Sequence, residues 1–212
     1  MENLIIIGAG GFALEVIDLI ESINTNKETY KIIGLLDDQK NDFKLKKYNV
    51  IGKVSDYKRF SQHSFVIAIA NPKVRESIYS ELKLNNIRTP NLFHPKIEMS
   101  KHIRLQDDSA IIINYSTQIS AEVEIEKAVI IDSKSYIGHE TILKSFVTIY
   151  PGVNISGKNI INEKSEIGLG TNIIQGLSIG SNTFIGAGST VINDIKDDVV
   201  AVGTPCKPIK YR

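Results

Sequence analysis

The sequence predicts two domains of different class, an α/β domain over residues 1–95 and a parallel β-helix over residues 96–212. Near the N-terminus, a short apolar run ends in a glycine-rich turn, which is typical of a buried parallel strand followed by a helix. Further along, a branched aliphatic residue recurs at every sixth position from Ile113 to Val191, with no insertion. This period fits neither an alternating strand nor an amphipathic helix.

Composition narrows the class of protein before any motif is considered. The chain has 212 residues, of which 42% are apolar, and 25 basic residues nearly balance 24 acidic ones. A nucleic-acid binder or a protein of a membrane surface would show a basic excess. There is no apolar run of the roughly 20 residues that cross a bilayer. The N-terminus lacks the basic region of a secretory signal, and Cys206 is the only cysteine, so we expect a cytoplasmic protein without disulfides.

The first motif is a glycine-rich turn that follows the apolar run Leu4–Ile7. Gly8-Ala9-Gly10-Gly11-Phe12-Ala13 matches G-x-G-x-x-A, the turn that brings backbone close to a phosphate in Rossmann-like domains. The helix that follows would offer free N–H groups to an anion. Gly8, Gly10, Gly11 and Phe12 are therefore candidate nucleotide-binding residues. The alternative is that these glycines serve only tight packing of the helix on the strand.

A second strand and an acidic pair support the nucleotide-binding interpretation. Ile32–Leu36 reads as a buried strand, and Asp37-Asp38 follow it, where such domains place an acid on a ribose hydroxyl. We further expect a strand over Phe65–Ala70, a helix over Lys73–Leu82 and a strand over Ile87–Phe93. The domain would end near His94-Pro95. This is about half of a dinucleotide fold, so a single nucleotide is the better-fitting ligand.

The six-residue repeat predicts the second domain. We count six places in each unit from its branched aliphatic residue, the ladder residue. The fifth place is also small or aliphatic in each unit, as in Thr117, Val123 and Ser135. Two inward places in six fit a short strand and a turn, with three strands to a coil. Fourteen units then give between four and five coils. Gly, Asn, Asp and Lys in the turns tolerate positive φ. A β-sandwich with chance periodicity is the alternative.

One histidine stands out against this repeat. His139 occupies the third place of its unit, Ile137-Gly138-His139-Glu140-Thr141-Ile142, where its side chain would point outward. An imidazole in that place does not fill a core, and Glu140 follows it directly. Side chains of adjacent strand residues point to opposite faces, so contact between the two requires a corner of the backbone. The alternative is a surface pair without function.

The repeat, the turn Gly8–Ala13, the run Leu36-Asp37-Asp38 and the ending Ala201-Val202-Gly203-Thr204-Pro205-Cys206-Lys207 together resemble one protein family over the whole chain. It is the hexapeptide-repeat sugar acetyltransferase family of bacteria, in the branch with an N-terminal nucleotide-binding domain. That branch includes nucleotide-linked 4-amino-sugar N-acetyltransferases and sialic acid O-acetyltransferases. The resemblance implies a left-handed β-helix, acetyl-CoA as co-substrate without a metal, and a homotrimer with active sites between subunits.

The resemblance also implies roles for particular residues. His139 would be the general base and Glu140 its orienting partner, and the backbone N–H of Gly157, expected to be accessible one coil later, would hold the thioester oxygen. Two positions depart from the family pattern: Asp132 stands where relatives often carry Asn, and Thr148 where some carry a second histidine. Asp132 could orient His139 or contact an amino group of the sugar. The residues expected to bind coenzyme A are Thr148, Gly157, Leu169, Ala187, Lys207 and Lys210.

Three functions remain open on the sequence alone. The first is N-acetylation of a nucleotide-linked 4-amino-4,6-dideoxy sugar. The second is O-acetylation of sialic acid or a related sugar. The third belongs to another class, in which the β-helix is a non-catalytic trimeric scaffold and the first domain a sensor. Retention or loss of turnover on removing the His139 imidazole separates the two enzymes from the scaffold.

Overall fold

The structure is a computed structural model that describes residues 1–40 and 43–212. The chain forms two compact units. The first comprises Met1–Pro95 together with Asp108–Ala110, and the second comprises Lys96–Asp107 together with Ile111–Arg212. None of the helices in the described ranges has the length and apolar character needed to cross a membrane.

The first unit is built on a mostly parallel sheet with strand order β3-β4-β2-β1-β5. Strand β1 pairs in parallel with β2 and β5, β2 pairs in parallel with β4, and β3 pairs antiparallel with β4. The elements of this unit are β1 (Glu2–Ile7), α1 (Gly11–Asn26), β2 (Tyr30–Leu36), β3 (Lys44–Leu45), β4 (Tyr48–Gly52), a 3₁₀ helix (Val54–Phe60), β5 (Ser64–Ile67), α2 (Pro72–Leu84) and β6 (Leu92–Phe93).

The apolar runs of the sequence form the core of this unit. Leu4–Ile7 are fully buried in β1, and α1 turns Ala13, Val16, Ile17, Leu19 and Ile20 inward. The predicted second strand and second helix are confirmed. The helix α2 starts where Pro72 fits its first turn and the Asn71 side chain accepts two backbone N–H groups.

The predicted fourth strand was wrong over most of its length, since only Leu92–Phe93 are extended in a ladder. Pro90 has no N–H to give to a neighbour, and the N–H of Thr89 donates to the Asp108 carboxylate at 2.7 Å. The third strand is Ser64–Ile67, shorter at its end than predicted. The hairpin β3–β4 and the 3₁₀ helix had not been predicted.

The second unit is a parallel β-helix of two-residue strands. They are β7 (Glu98–Met99), β8 (Arg104–Leu105), β9 (Ile112–Ile113), β10 (Gln118–Ile119), β11 (Glu124–Ile125), β12 (Ile130–Ile131), β13 (Tyr136–Ile137), β14 (Ile142–Leu143), β15 (Thr148–Ile149), β16 (Asn154–Ile155), β17 (Ile160–Ile161), β18 (Glu166–Ile167), β19 (Asn172–Ile173), β20 (Ser178–Ile179), β21 (Phe184–Ile185) and β22 (Thr190–Val191). Two longer strands, β23 (Val199–Val202) and the antiparallel β24 (Lys207–Tyr211), follow them.

From β7 to β19, each strand pairs with the one three strands later, so that the chain closes a coil every three strands. Ile137 pairs with Ile155, and Ile155 with Ile173. Every ladder residue from Ile113 to Val191 is at most 3% exposed, and the fifth-place residues are buried as well, apart from the half-buried Leu177. Both predicted inward places are therefore confirmed. Stacked ladders of Ile suit strands because the branched side chain packs well on a pleated surface.

The turns share one backbone conformation, with positive φ at the fourth place. Glycines occupy some of these places, but Ala128, Glu140 and Phe146 also have φ of 53°, 58° and 63°. Such values are uncommon for these residue types. Hydrogen bonds from the coil below hold them there, as the Glu140 N–H donates to the Ala121 carbonyl at 3.0 Å. Packing of the coil thus overrides the local preference.

Candidate active site

His139 and Glu140 lie in the turn between β13 and β14. The left-handed conformation of Glu140 bends the backbone, so the two adjacent side chains no longer point to opposite faces. His139 Nδ1 lies 2.8 Å from Glu140 Oε2. Contact between the two side chains required a corner of the backbone, and that corner is present. The fourth places from Ser116 to Gly188 all share a positive φ.

The contact with Glu140 determines which imidazole nitrogen is free. A carboxylate only accepts hydrogen bonds, so His139 donates its Nδ1–H to Glu140, and in the neutral imidazole Nε2 then carries the lone pair. The Nε2 atom faces Gly157, where a Cβ would come within 2.5 Å of it. The His139 and Glu140 side chains are 46% and 51% exposed. This imidazole can take a proton from a group that approaches from outside the coil.

Gly157 lies one coil above His139, because Tyr136 pairs with Asn154 and Ile137 with Ile155. The Lys158 N–H donates to the His139 carbonyl at 2.7 Å and fixes the register of the two turns. Gly157 is buried because the imidazole covers it. The sequence had led us to expect an accessible N–H at this residue. Within residues 1–40 and 43–212, no group accepts a hydrogen bond from the Gly157 N–H.

Other turns show what a third-place N–H can bind. Ser145 and Ser181 occupy the third place of their units, as His139 and Gly157 do. The Ser145 N–H donates to the Glu126 carboxylate at 3.0 Å, and the Ser181 N–H donates to the Asp197 carboxylate at 2.7 Å. The third-place N–H therefore faces outward in this turn and can bind an anionic oxygen. At Gly157, the described residues supply no such acceptor.

The Glu126 carboxylate is held firmly at its corner. Besides the Ser145 N–H, it accepts from the Ser145 hydroxyl at 2.7 Å and from Lys144 Nζ at 2.8 Å. Burial alone would raise the pKa of Glu126, but the hydrogen bonds from Lys144 and Ser145 outweigh it, and the pKa is lowered. The carboxylate is thus stabilised in its charged form.

The glycines of the turn in the first unit differ in their surroundings: Gly8 is packed against a neighbouring strand end, whereas Gly10 and Gly11 face open space. Gly8 has a φ of 103°, and a Cβ there would lie 2.8 Å from the Ala68 carbonyl oxygen, so close packing requires this glycine. Gly10 and Gly11 are exposed, and a Cβ on either would meet nothing within 4 Å. The packing alternative accounts for Gly8 but not for the next two glycines. Phe12 is half-buried beside them.

Asp37 shapes the glycine turn directly. Its carboxylate accepts the N–H of Ala9 at 2.8 Å, and those of Gln39 and Lys40 at 2.9 and 3.1 Å. Asp38 accepts the Val54 N–H at 2.9 Å. Sequence reasoning missed Lys40, whose ammonium donates to the Ala9 carbonyl at 2.6 Å and so places a cation at the turn. Its position just after the acidic pair was the available signal.

The remaining site candidates lie elsewhere on the β-helix. Asp132 is buried in the turn after β12, where it accepts from Asn114 at 3.2 Å and from the Ser133 N–H at 2.6 Å. Thr148 is 1% exposed. Leu169 and Ala187 are exposed in the third place of their units, at a different corner of the coil from His139 and Gly157. The exposed Lys207 and Lys210 lie in β24. Among the described residues, no three His, Cys, Asp or Glu side chains are grouped to hold a metal.

Comparison with known proteins finds solved structures that share this architecture over nearly the whole chain. Residues 3–82 match the PglD N-terminal domain family. The acetyltransferase domain of PglB from Neisseria gonorrhoeae, solved with acetyl coenzyme A, is 27% identical and superposes with a TM-score of 0.90 over 98% of this chain and 99% of that one. PerB from Caulobacter crescentus, solved with CoA and GDP-perosamine, is 24% identical, with a TM-score of 0.90 over 99% and 98% of the two chains. WeeI from Acinetobacter baumannii is 24% identical, with a TM-score of 0.87 over 99% and 100%.

Fold and site together define the class: an α/β domain followed by a left-handed β-helix of hexapeptide repeats. Within that class, the chain is similar to the hexapeptide-repeat sugar acetyltransferases, and its residues 3–82 match the PglD N-terminal domain family. The fold class predicted from the repeat and the glycine turn is thereby confirmed, as is the family resemblance.

Proposed function

We propose that the protein transfers the acetyl group of acetyl-CoA to the amino group of a nucleotide-linked 4-amino-4,6-dideoxy sugar, in the cytoplasm. The observation that carries the proposal is the His139–Glu140 pair, whose imidazole packs against Gly157 of the next coil. The PglB domain solved with acetyl coenzyme A supports the donor. PerB has the same fold and was solved with CoA and GDP-perosamine, which supports a nucleotide-linked sugar as acceptor.

His139 acts as general base in this proposal. The acceptor nitrogen attacks the thioester carbonyl carbon directly, in a ternary complex, and gives a proton to Nε2. Glu140 holds the other imidazole nitrogen as N–H, at 2.8 Å, and stabilises the imidazolium that forms. When the tetrahedral intermediate collapses, the carbon–sulfur bond breaks and the departing thiolate takes the proton back from Nε2. No covalent enzyme intermediate is needed, so the buried Cys206 has no chemical role.

Gly157 stabilises the charge that develops on the carbonyl oxygen. The N–H groups of Ser145 and Ser181 bind carboxylate oxygens from the same place in the turn, and an oxyanion carries the same kind of charge. A single backbone donor of this kind typically contributes about 10²- to 10³-fold in rate. The His139 ring must move off Gly157 far enough to admit the thioester oxygen.

The first unit holds the nucleotide of the acceptor. Gly10 and Gly11 leave space beside the start of α1, where free backbone N–H groups attract phosphate. Lys40 adds a positive charge at the Ala9 carbonyl. In the proposed site, Asp37 keeps this turn in shape and, with Asp38, faces the ribose. Asp132 contacts the acceptor amino group.

Coenzyme A lies along the upper coils. The exposed Leu169 and Ala187 contact its pantetheine arm, and Lys207 and Lys210 meet its phosphates as point charges. Thr148 is buried in its own coil, so its contribution to this site is packing. Leu169 and Ala187 lie at a different corner from His139, which supports a homotrimer in which neighbouring chains complete each site. The half-exposed His139 and Glu140 would be covered there. Sedimentation measurements on the purified protein test for the trimer.

The experiment that tests the function is acetyl-CoA consumption against a panel of nucleotide-linked amino sugars and free sialic acid. Turnover with an amino sugar and formation of the amide product support the proposal. Turnover with sialic acid alone assigns O-acetylation instead. Consumption with none of them, while acetyl-CoA still binds, leaves the trimeric scaffold as the better function.

A further inference from the structure

Asn159 is the one fifth-place residue with an amide side chain in the repeat from Ile113 to Val191. Elsewhere this inward place holds Thr, Ser, Val or Leu. Asn159 is 0% exposed and lies two residues after Gly157. A buried amide needs partners for both its donor and its acceptor, and the partners of Asn159 surround the peptide groups next to Gly157.

The amide nitrogen of Asn159 donates to the Ser156 carbonyl at 2.7 Å and to the Gly157 carbonyl at 3.3 Å. Its oxygen accepts the Leu177 N–H, one coil above, at 2.8 Å. From one coil below, the Thr141 hydroxyl donates to the same Ser156 carbonyl at 3.1 Å. Both Asn159 and Thr141 are fully buried, so they hold the Ser156 carbonyl toward the interior of the coil.

The direction of the Ser156 carbonyl determines the direction of the Gly157 N–H. In a trans peptide the C=O and N–H bonds point in opposite directions. A carbonyl held inward therefore aims the Gly157 N–H outward, on the side where His139 lies. Gly157 lacks a Cβ and so has more backbone freedom than its neighbours. Hydrogen bonds that hold the Ser156 carbonyl therefore matter more at this peptide than at others.

We propose that Asn159 is a positioning residue that aims the Gly157 N–H at the thioester oxygen. This inference rests on the proposed acetyl transfer and deepens it. Asn159 touches neither substrate nor His139. It acts through the Ser156 and Gly157 carbonyls, and its amide allows one side chain to fix both peptide groups, which a hydroxyl in this place could not do.

The test compares Asn159→Val with a matched variant, Ser165→Val. Val occupies the fifth place at Val123, Val129, Val147 and Val153, so the coil accommodates it. Ser165 is also fully buried and donates to a carbonyl, that of Gly180 at 2.5 Å, in a turn away from His139. Both variants lose buried hydrogen bonds, and we expect similar falls in Tm.

Turnover should separate the two variants. Asn159→Val should lower kcat by about 10- to 100-fold with little change in KM for the acceptor, because a displaced donor weakens transition-state binding. Ser165→Val should retain wild-type kcat. The pH profile of kcat should keep its shape in Asn159→Val, since the base is unaltered. A kcat within twofold of wild type in Asn159→Val, or an equal loss in Ser165→Val, would overturn the inference.

Two further measurements cover the remaining outcomes. Asn159→Ser should give an intermediate kcat, since a hydroxyl there can still donate to Ser156 as Ser189 does to the Gly186 carbonyl at 2.7 Å; it also serves if the valine variant does not fold. If the wild-type protein transfers no acetyl group, the proposed function fails, and a crystal structure of Asn159→Val then decides the inference. Unchanged Ser156 and Gly157 carbonyl directions in that structure would overturn it.

Discussion

Two corners of the β-helix share one backbone geometry and differ in what meets their outward N–H group. At the Ser145 corner, the Glu126 carboxylate accepts the N–H and the hydroxyl, and Lys144 neutralises it. At the Gly157 corner, the described part of the chain offers no acceptor, and the imidazole of His139 lies beneath. We call the Ser145 corner closed, because a carboxylate of the protein already accepts its N–H group. We call the Gly157 corner open, because it has the same backbone geometry but no such acceptor within the described residues. A repeated structural turn can become a reactive one in this way.

The largest expected effect comes from removing the imidazole at the open corner. His139→Ala should lower kcat by about 10²- to 10⁴-fold, the usual contribution of a general base, with Tm nearly unchanged because the side chain is half exposed. Acetyl-CoA consumption measures it. The exposed His102 provides the control, since His102→Ala should retain full activity. An active His139→Ala variant would favour a different base.

Filling the open corner should be nearly as damaging. In Gly157→Ala, the new Cβ would lie 2.5 Å from His139 Nε2 and push the ring out of place, so we expect kcat to fall by roughly 10²-fold. Ala121 and Ala187 occupy the third place of other units, so the turn itself tolerates alanine. The double variant with His139→Ala should lose little beyond His139→Ala alone. Strictly additive losses would show that the two residues act independently.

A smaller loss is expected from neutralising the orienting acid. Gln can donate to Nδ1 and thereby favour the imidazole with its proton on Nε2, so Glu140→Gln should reduce kcat by roughly 10- to 100-fold. Glu122 is the matched control, because it occupies the same left-handed place one coil below, with φ of 58° at both positions. Glu122→Gln should leave kcat unchanged. Equal behaviour of the two variants would remove Glu140 from the mechanism.

The smallest effect is expected at the closed corner, and it concerns stability alone. Glu126→Gln should lower the free energy of unfolding at neutral pH by about 1 kcal/mol, because the ion pair stays partly exposed. The pKa of Glu126 is lowered in the folded protein, so its stabilisation is present above the ordinary glutamate pKa and lost as the pH falls through the lowered value. Denaturant unfolding should show the variant and the wild type converging at acid pH. A difference that persists there would contradict this assignment.

The β-helix was predictable from the sequence because every six-residue unit needs a buried aliphatic residue at the same place. A ladder residue every six positions leaves little freedom in how the chain stacks, and the burial of Ile113–Val191 follows from it. The first coil was harder to predict. The interval from Leu105 to Ile113 is longer than one unit, and Asp108–Ala110 in it belong to the first unit. Local irregularity of this kind carries no periodic signal.

The sequence predicted which residues form the candidate site, but not the directions in which their side chains and backbone groups point. Register alone placed Gly157 above His139, but the contact between His139 and Glu140 depends on the positive φ of a glutamate, which residue preference argues against. Asn159 and Lys40 went unnoticed because their roles depend on which carbonyl each one meets. Hydrogen bonds between distant parts of the chain leave no pattern in a single sequence.

The coil also sets a unit of length for this protein. Neighbouring strands lie about 4.8 Å apart, and strands β16, β19 and β22 stack in order above β13, which leads into the His139 turn. Insertion or deletion of one whole coil above Gly157 would leave the reactive corner intact and move the C-terminal strand β24 by one such step. The distance from the imidazole to that strand can therefore change only in fixed increments. A donor with a longer or shorter arm could be matched by counting coils, without redesign of any turn.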